Sequence, residues 1–140
     1  LSATIIKKNA FENDIILSSL QFFSPVNGYI TTPFKPAEEH FGIDIATAKN
    51  EPVKSILDGT VILTAWTAET GYVIAVQHEY NVVSFYKHNS ELMKKDGDKL
   101  KAGDLIAVAG EVGEFSTGPH LHFELWHNGH PADPEDYLNL

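Results

Sequence analysis

Short runs of β-branched and aromatic residues, each stopped by a turn signal, dominate this chain and leave little room for helix. Ala3 to Ile6, Tyr29 to Thr32, Gly42 to Ala46, Gly59 to Trp66, Tyr72 to His78, Val82 to His88, Leu105 to Gly110 and His120 to His127 all read as strands. Pro25-Val26-Asn27-Gly28, Asp58-Gly59, Thr70-Gly71, Asp96-Gly97-Asp98, Gly118-Pro119 and Asn128-Gly129 punctuate them. Helix signal is confined to one turn over Asn89 to Lys95 and to Asp133-Pro134-Glu135-Asp136. There an N-cap, a proline at the first helical position and first-turn acids predict a short C-terminal helix. The pattern therefore predicts an all-β, mainly antiparallel fold of sandwich or barrel type. With 140 residues, 43% of them hydrophobic, the chain makes one domain with its own core. Residues 1–24 read as an N-terminal arm or extra strand leading into a body over 25–140.

The formal charge is −9, from 19 acids against 10 bases. Nucleic-acid backbones are held by Lys and Arg that neutralise phosphates. No basic run or basic amphipathic helix offsets the acids, so nucleic acid is not an expected partner. No stretch approaches the ~20 apolar residues of a membrane span. Cysteine is absent, which excludes disulfides and thiolate metal sites. Any metal must then be held by His, Asp or Glu. Beginning at Leu1 with no signal-peptide layout, the chain reads as a trimmed or processed piece with a signal or anchor upstream.

The segment Gly118 to Leu125 places His120 and His122 two residues apart within Leu121, Phe123 and Leu125. Residues i and i+2 of a strand share a face, so both imidazoles point one way and the apolar residues point into a core. Two imidazoles on one face bind a metal together, or one binds it while the other works beside it; a pair of half-exposed strand histidines gives the same spacing. Upstream, His40 and Asp44 are four apart and share a face in strand or helix alike, with Ile43 and Ile45 favouring a strand. A surface pair is the bland reading of that spacing taken alone. Together, His, Asp and His are nitrogen and oxygen donors that zinc accepts, and three protein ligands with one open position is the layout of a catalytic zinc site. The H-E-x-x-H helix motif is absent. His88 closes a strand as either an exposed terminal residue or a proton-transfer group near the metal.

With these residues in place the sequence resembles the lysostaphin-type zinc endopeptidases of bacterial cell walls. The matching segments are "HFGIDIA", "DGTVILTAW", "GYVIAVQH", "YKHNS", "LKAGDLIAVAG" and "STGPHLHFELWHNG", in the family's order, covering about Val26 to Leu138. The resemblance implies a duplicated hybrid β motif of sandwich or barrel form. It implies His40, Asp44 and His122 as ligands of Zn2+, and His88 and His120 as catalytic histidines. They would orient the attacking water, act as general base and acid, and stabilise the oxyanion. It implies hydrolysis of the peptide cross-links of peptidoglycan by zinc-activated water, with no acyl-enzyme. D-alanyl–diaminopimelate is the expected bond, ahead of glycine cross-bridges. The implied partners are peptidoglycan peptide stems, and the implied place is the cell envelope, periplasmic or extracellular. The acidic charge favours a diderm periplasm over a wall coated in anionic polymer. Some relatives have lost ligands and only activate other wall hydrolases; a metal-bound inactive regulator with a protein partner is therefore the alternative. This chain keeps every ligand and both catalytic histidines. It departs from the family at Asn89, where Leu is frequent, and over Phe34 to His40, where an Arg is frequent; both departures are expected to flank the substrate groove.

His78, His127 and His130 read as plain surface or strand-end histidines, with His127 on the opposite face from His120. Glu124 shares the face of His122, as a hydrogen-bond partner behind a ligand imidazole or, favoured slightly, as a solvated strand carboxylate. Met93-Lys94 resembles the hairpin of biotinyl and lipoyl domains without its second Met. "HFGID" also resembles the phospho-histidine segment of sugar phosphotransferase carrier domains, the remaining rival; that family needs a second histidine upstream, and none precedes His40.

Overall fold

In the computed structural model residues 14–111 and 118–140 are described. The strands are β1 (Tyr29–Thr32), β2 (Ile43–Ala46), β3 (Pro52–Lys54), β4 (Gly59–Thr67), β5 (Gly71–Gln77), β6 (Val82–Leu92), β7 (Lys99–Leu100), β8 (Leu105–Ala109), β9 (His120–His127) and β10 (His130–Ala132). They form one branched sheet in the order β1-β2-β9-β6-β5-β4-β7, with β10 added to β9 and the β3–β8 pair joined through β6. Every pairing is antiparallel. The all-β, mainly antiparallel expectation is borne out.

The core follows from strand alternation. Leu121, Phe123 and Leu125 of β9, Ile43 and Ile45 of β2, Ile74 and Val76 of β5 and Tyr86 of β6 are buried together. Burying side chains of this size contributes roughly 1.5–3 kcal/mol each. Phe123 and Tyr86 meet with ring centroids 5.3 Å apart. The opposite face of β9 is left to His120, His122, Glu124 and Trp126.

Strand β6 organises the branch. One of its edges pairs with β5. Its other edge pairs first with β9, over Val82 to Lys87, and then with β8, over Asn89 to Leu92. The change of partner falls at His88, whose φ is 69°, in the left-handed region that a non-glycine residue rarely enters. The expected helical turn at Asn89 to Lys95 is corrected here. The edge of β8 offers a ladder, so the strand runs on to Leu92 and Met93 N–H still bonds Ile106 O at 2.8 Å. Local propensity yields to pairing. The C-terminal helix is a single 3-10 turn, Pro134–Asp136, capped by Asp133, which accepts from Glu135 N–H at 3.0 Å. Leu138 then turns into the core.

Residues 14–19 are helical. Leu17 enters the core, and Tyr137 O–H donates to Asp14 Oδ1 at 2.7 Å. The strand expected at Ala3 to Ile6 lies outside the described residues. Among the described residues no helix is long and apolar enough to cross a membrane.

Candidate metal centre

Two strand registers build the site. β2 lies against β9 with Asp44 opposite His122 and Ala46 opposite His120. His40 arrives from the turn before β2. Its backbone is closed against Lys35 by reciprocal bonds of 2.9 and 3.1 Å, around the 3-10 turn Pro36–Glu38 that ends on left-handed Glu39. Gly42 lets these strands approach. A Cβ there would collide with the Phe123 carbonyl and lie 2.7 Å from Glu124 Cγ and 3.0 Å from His122 Nε2.

One ligand atom from each of His40, Asp44 and His122 lies within 4.8 Å of the others. His40 Nε2 is 3.1 Å from Asp44 Oδ2, and His122 Nδ1 is 2.7 Å from Asp44 Oδ1. The outer nitrogens also face oxygens: His40 Nδ1 meets Pro33 O at 2.8 Å, and His122 Nε2 meets Glu124 Oε2 at 2.7 Å. A neutral imidazole has one N–H, so it satisfies only one of two acceptors. With the outer N–H groups donated to Pro33 and Glu124, two nitrogen lone pairs and both Asp44 oxygens converge on one hollow. That is an electron-rich pocket suited to a cation. The donor set and the fixed tautomers fit zinc.

The electrostatics agree. Burial pushes the Asp44 carboxyl up, but the hydrogen bond and charge of His122 outweigh it and hold the group below the usual range. Burial pushes the His122 imidazole down, and the bonds to Asp44 and Glu124 more than reverse that. Glu124 is only 8% exposed. Burial would raise it, yet His122, Trp126 and Lys87 hold it down to about 2. The expectation of a solvated carboxylate is thus corrected. Glu124 Oε2 accepts from Lys87 Nζ at 3.1 Å and Oε1 from Trp126 Nε1 at 2.9 Å, and Phe41 and Phe85 flank the indole.

His88 and His120 stand beside the hollow. Their ring centroids are 4.7 Å apart, and His88 lies 6.0 Å from His122. His120 Nδ1–H donates to Gly118 O at 2.9 Å, which leaves Nε2 for chemistry. An open groove of about 640 Å³ runs past Asp44, His88 and His120, edged by Tyr29, Thr31 and Thr47. All five residues singled out from the sequence therefore gather on one sheet face.

Other expectations fare differently. Asn89 is fully buried and does not flank the groove; its Nδ2 bonds Tyr72 O at 3.0 Å and Tyr86 O at 2.9 Å. His78 and His127 are 5% and 3% exposed, not surface residues. His78 Nδ1–H bonds Asp58 O and its Nε2 accepts from Ser84, at 2.7 Å each. His127 does face the core side, opposite to His120, and His130 is exposed. Sequence reasoning missed Lys87 and Trp126 as the partners that bury Glu124. Their only signal is register, since Lys87 lies opposite His122 and Phe85 opposite Glu124.

Two curated relatives are the peptidoglycan DD-endopeptidase ShyA of Vibrio cholerae, 34% identical over 99 residues, 71% of this chain and 23% of that one, and the murein hydrolase activator NlpD of Salmonella dublin, 34% identical over 117 residues, 81% of this chain and 30% of that one. The chain thus spans less than a third of either relative's length. Among solved structures, a zinc-containing peptidase from Vibrio cholerae superposes with a TM-score of 0.65 at 31% identity, covering 86% of this chain and 36% of that one. The catalytic domain of lysostaphin from Staphylococcus simulans does so with a TM-score of 0.63 at 29% identity, covering 87% and 94%. The family model described as Peptidase family M23 matches residues 38–134, from just before His40 to just beyond β10, and the chain belongs to that family of metallopeptidases.

Proposed function

We propose that this chain is a zinc-dependent endopeptidase of the cell envelope that hydrolyses peptide cross-links of peptidoglycan at the D-alanyl–diaminopimelate bond. The observation that carries it is the hollow where His40 Nε2, Asp44 and His122 Nδ1 converge beside His88, His120 and an open groove. Residues 25–140 form the metallopeptidase unit. His40, Asp44 and His122 would hold zinc, which when bound would supply Lewis acidity to the scissile carbonyl and lower the pKa of a water toward ~7. Glu124 keeps the His122 Nε2–H donated, so Nδ1 stays a lone pair. His120 Nε2 takes the proton of the attacking water and returns it to the leaving amine as the C–N bond breaks. His88 donates to the carbonyl oxygen as negative charge develops.

The likeness to the activator NlpD favours a second reading, a zinc-holding domain that acts through a protein partner. Digestion of purified cross-linked muropeptides, with and without chelator and read by mass spectrometry, separates the two. Chelator-sensitive conversion of dimers to monomers is expected, with product masses naming the bond. No conversion by a protein that holds one zinc would sink the enzyme reading and support the regulator.

A further inference from the structure

Two residues of the site come from strands that do not pair with each other at that point. His88 follows the stretch of β6 that pairs with β9, which ends at Lys87, and His120 begins β9 beyond that stretch. What bridges them is one residue, Gly110, through its N–H and its C=O. Gly110 N–H donates to His88 O at 3.0 Å, and Gly110 O accepts from His120 N–H at 3.1 Å. The other side of His88 is clamped as well, its N–H bonded to Thr70 O at 2.7 Å. Next to it, buried Asn89 spans the carbonyls of Tyr72 and Tyr86.

The geometry points to Gly110 as a positioning residue that ties His88 to His120 and sets the 4.7 Å spacing of their rings. The residue must be glycine for a steric reason. A Cβ at this position would sit 2.6 Å from Ser90 N, 2.9 Å from His88 O and 3.0 Å from Ser90 Cα. All three are backbone atoms, which cannot swing aside as a side-chain tip can. Relief requires moving β6 at His88, where the backbone already sits at a φ of 69° that only a surrounding lattice of bonds sustains. None of His40, Asp44 and His122 touches Gly110 through these bonds, so the tie acts on the proton-transfer pair and not on the metal ligands. Imidazoles at 4.7 Å on separate strands need such a tie, because a 1 Å misplacement of a catalytic group costs about a hundredfold in rate.

The inference rests on the proposed roles of His88 and His120, and its test separates the two. Gly110→Ala should retain zinc stoichiometry and affinity while kcat on muropeptide dimers falls about a hundredfold with KM unchanged. In a His88→Ala background the same substitution should cost less than in the wild type, because part of its effect runs through the His88 imidazole. A backbone ester at Gly110, which removes the N–H donor and adds no Cβ, should reproduce the loss. Scalar couplings across the two hydrogen bonds, from Gly110 N to His88 C′ and from His120 N to Gly110 C′, should be seen by NMR in the zinc-loaded protein and vanish together in Gly110→Ala. Full turnover in either variant, joint loss of zinc and turnover, or additive losses in the double variant would overturn it. A wild type that cleaves no muropeptide defeats the proposed function instead, and the couplings then decide the tie by themselves.

Discussion

Gly42→Ala is the sharpest test of how the metal site is assembled. The glycine sits between His40 and Asp44, one residue before β2, the strand that faces His122. An added Cβ would press on the Phe123 carbonyl and would come 2.7 Å from Glu124 Cγ, about 0.7 Å inside the 3.4 Å where ordinary contact begins. The carbonyl belongs to β9 and cannot rotate away, so β2 and β9 must part. Those strands carry Asp44 and His122, whose atoms now lie 2.7 Å apart. A parting of that size is several times the ~0.2 Å tolerance of a metal–ligand distance. Zinc affinity should therefore fall by about tenfold or more, and overpacking should cost roughly 1–3 kcal/mol of stability. Competition against a chromophoric chelator reads the first, and thermal unfolding of the chelated protein reads the second. An alanine variant with native zinc affinity and native Tm would refute the close-approach account of this strand pair.

Glu124→Gln tests the residue behind the ligand. It removes the charge that pairs with Lys87 and loosens the hold on His122 Nε2–H, so zinc affinity should drop about 10–100-fold with the fold intact; equilibrium dialysis that finds no change would disprove the role. His78→Gln tests a buried imidazole outside the candidate metal centre. Burial holds the His78 pKa below its ordinary 6.5, against the pull of the Asp58 carbonyl. Between the two values the unfolded chain binds more protons, so stability is full above pH 6.5 and falls as pH drops toward the lower folded value. Tm followed down to about pH 5 should fall less steeply in His78→Gln than in the wild type; parallel curves would be the wrong outcome.

Strand existence was legible because it depends on local pattern. Tyr29 to Thr32 is marked by composition alone and coincides with β1. The strands that went unread are β3, β7 and β10, of three, two and three residues. A run that short has no period to read, and each exists only because a longer strand offers it an edge. Asn89 to Lys95 failed for the same reason in reverse. Its residues favour a turn, and a partner strand from Leu105 onward holds Asn89 to Leu92 extended.

The site divides along the same line. His40, Asp44, His120 and His122 were legible because spacings of two and four fix a shared face whatever the partners are. What spacing could not reveal is what stands behind each imidazole. Glu124 shares the face of His122, yet its exposure depends on Lys87 and Trp126, and they reach it through β6–β9 register and not through sequence distance. The result inverts the intuition that an acid on an outward strand face is solvated. Here the acid is buried because Lys87, Trp126 and His122 all reach it, and with His122 Nε2–H held by Glu124 the Nδ1 lone pair faces the hollow beside Asp44. The carboxylate that looks least involved in the linear sequence is the group that decides which lone pair of His122 the hollow receives.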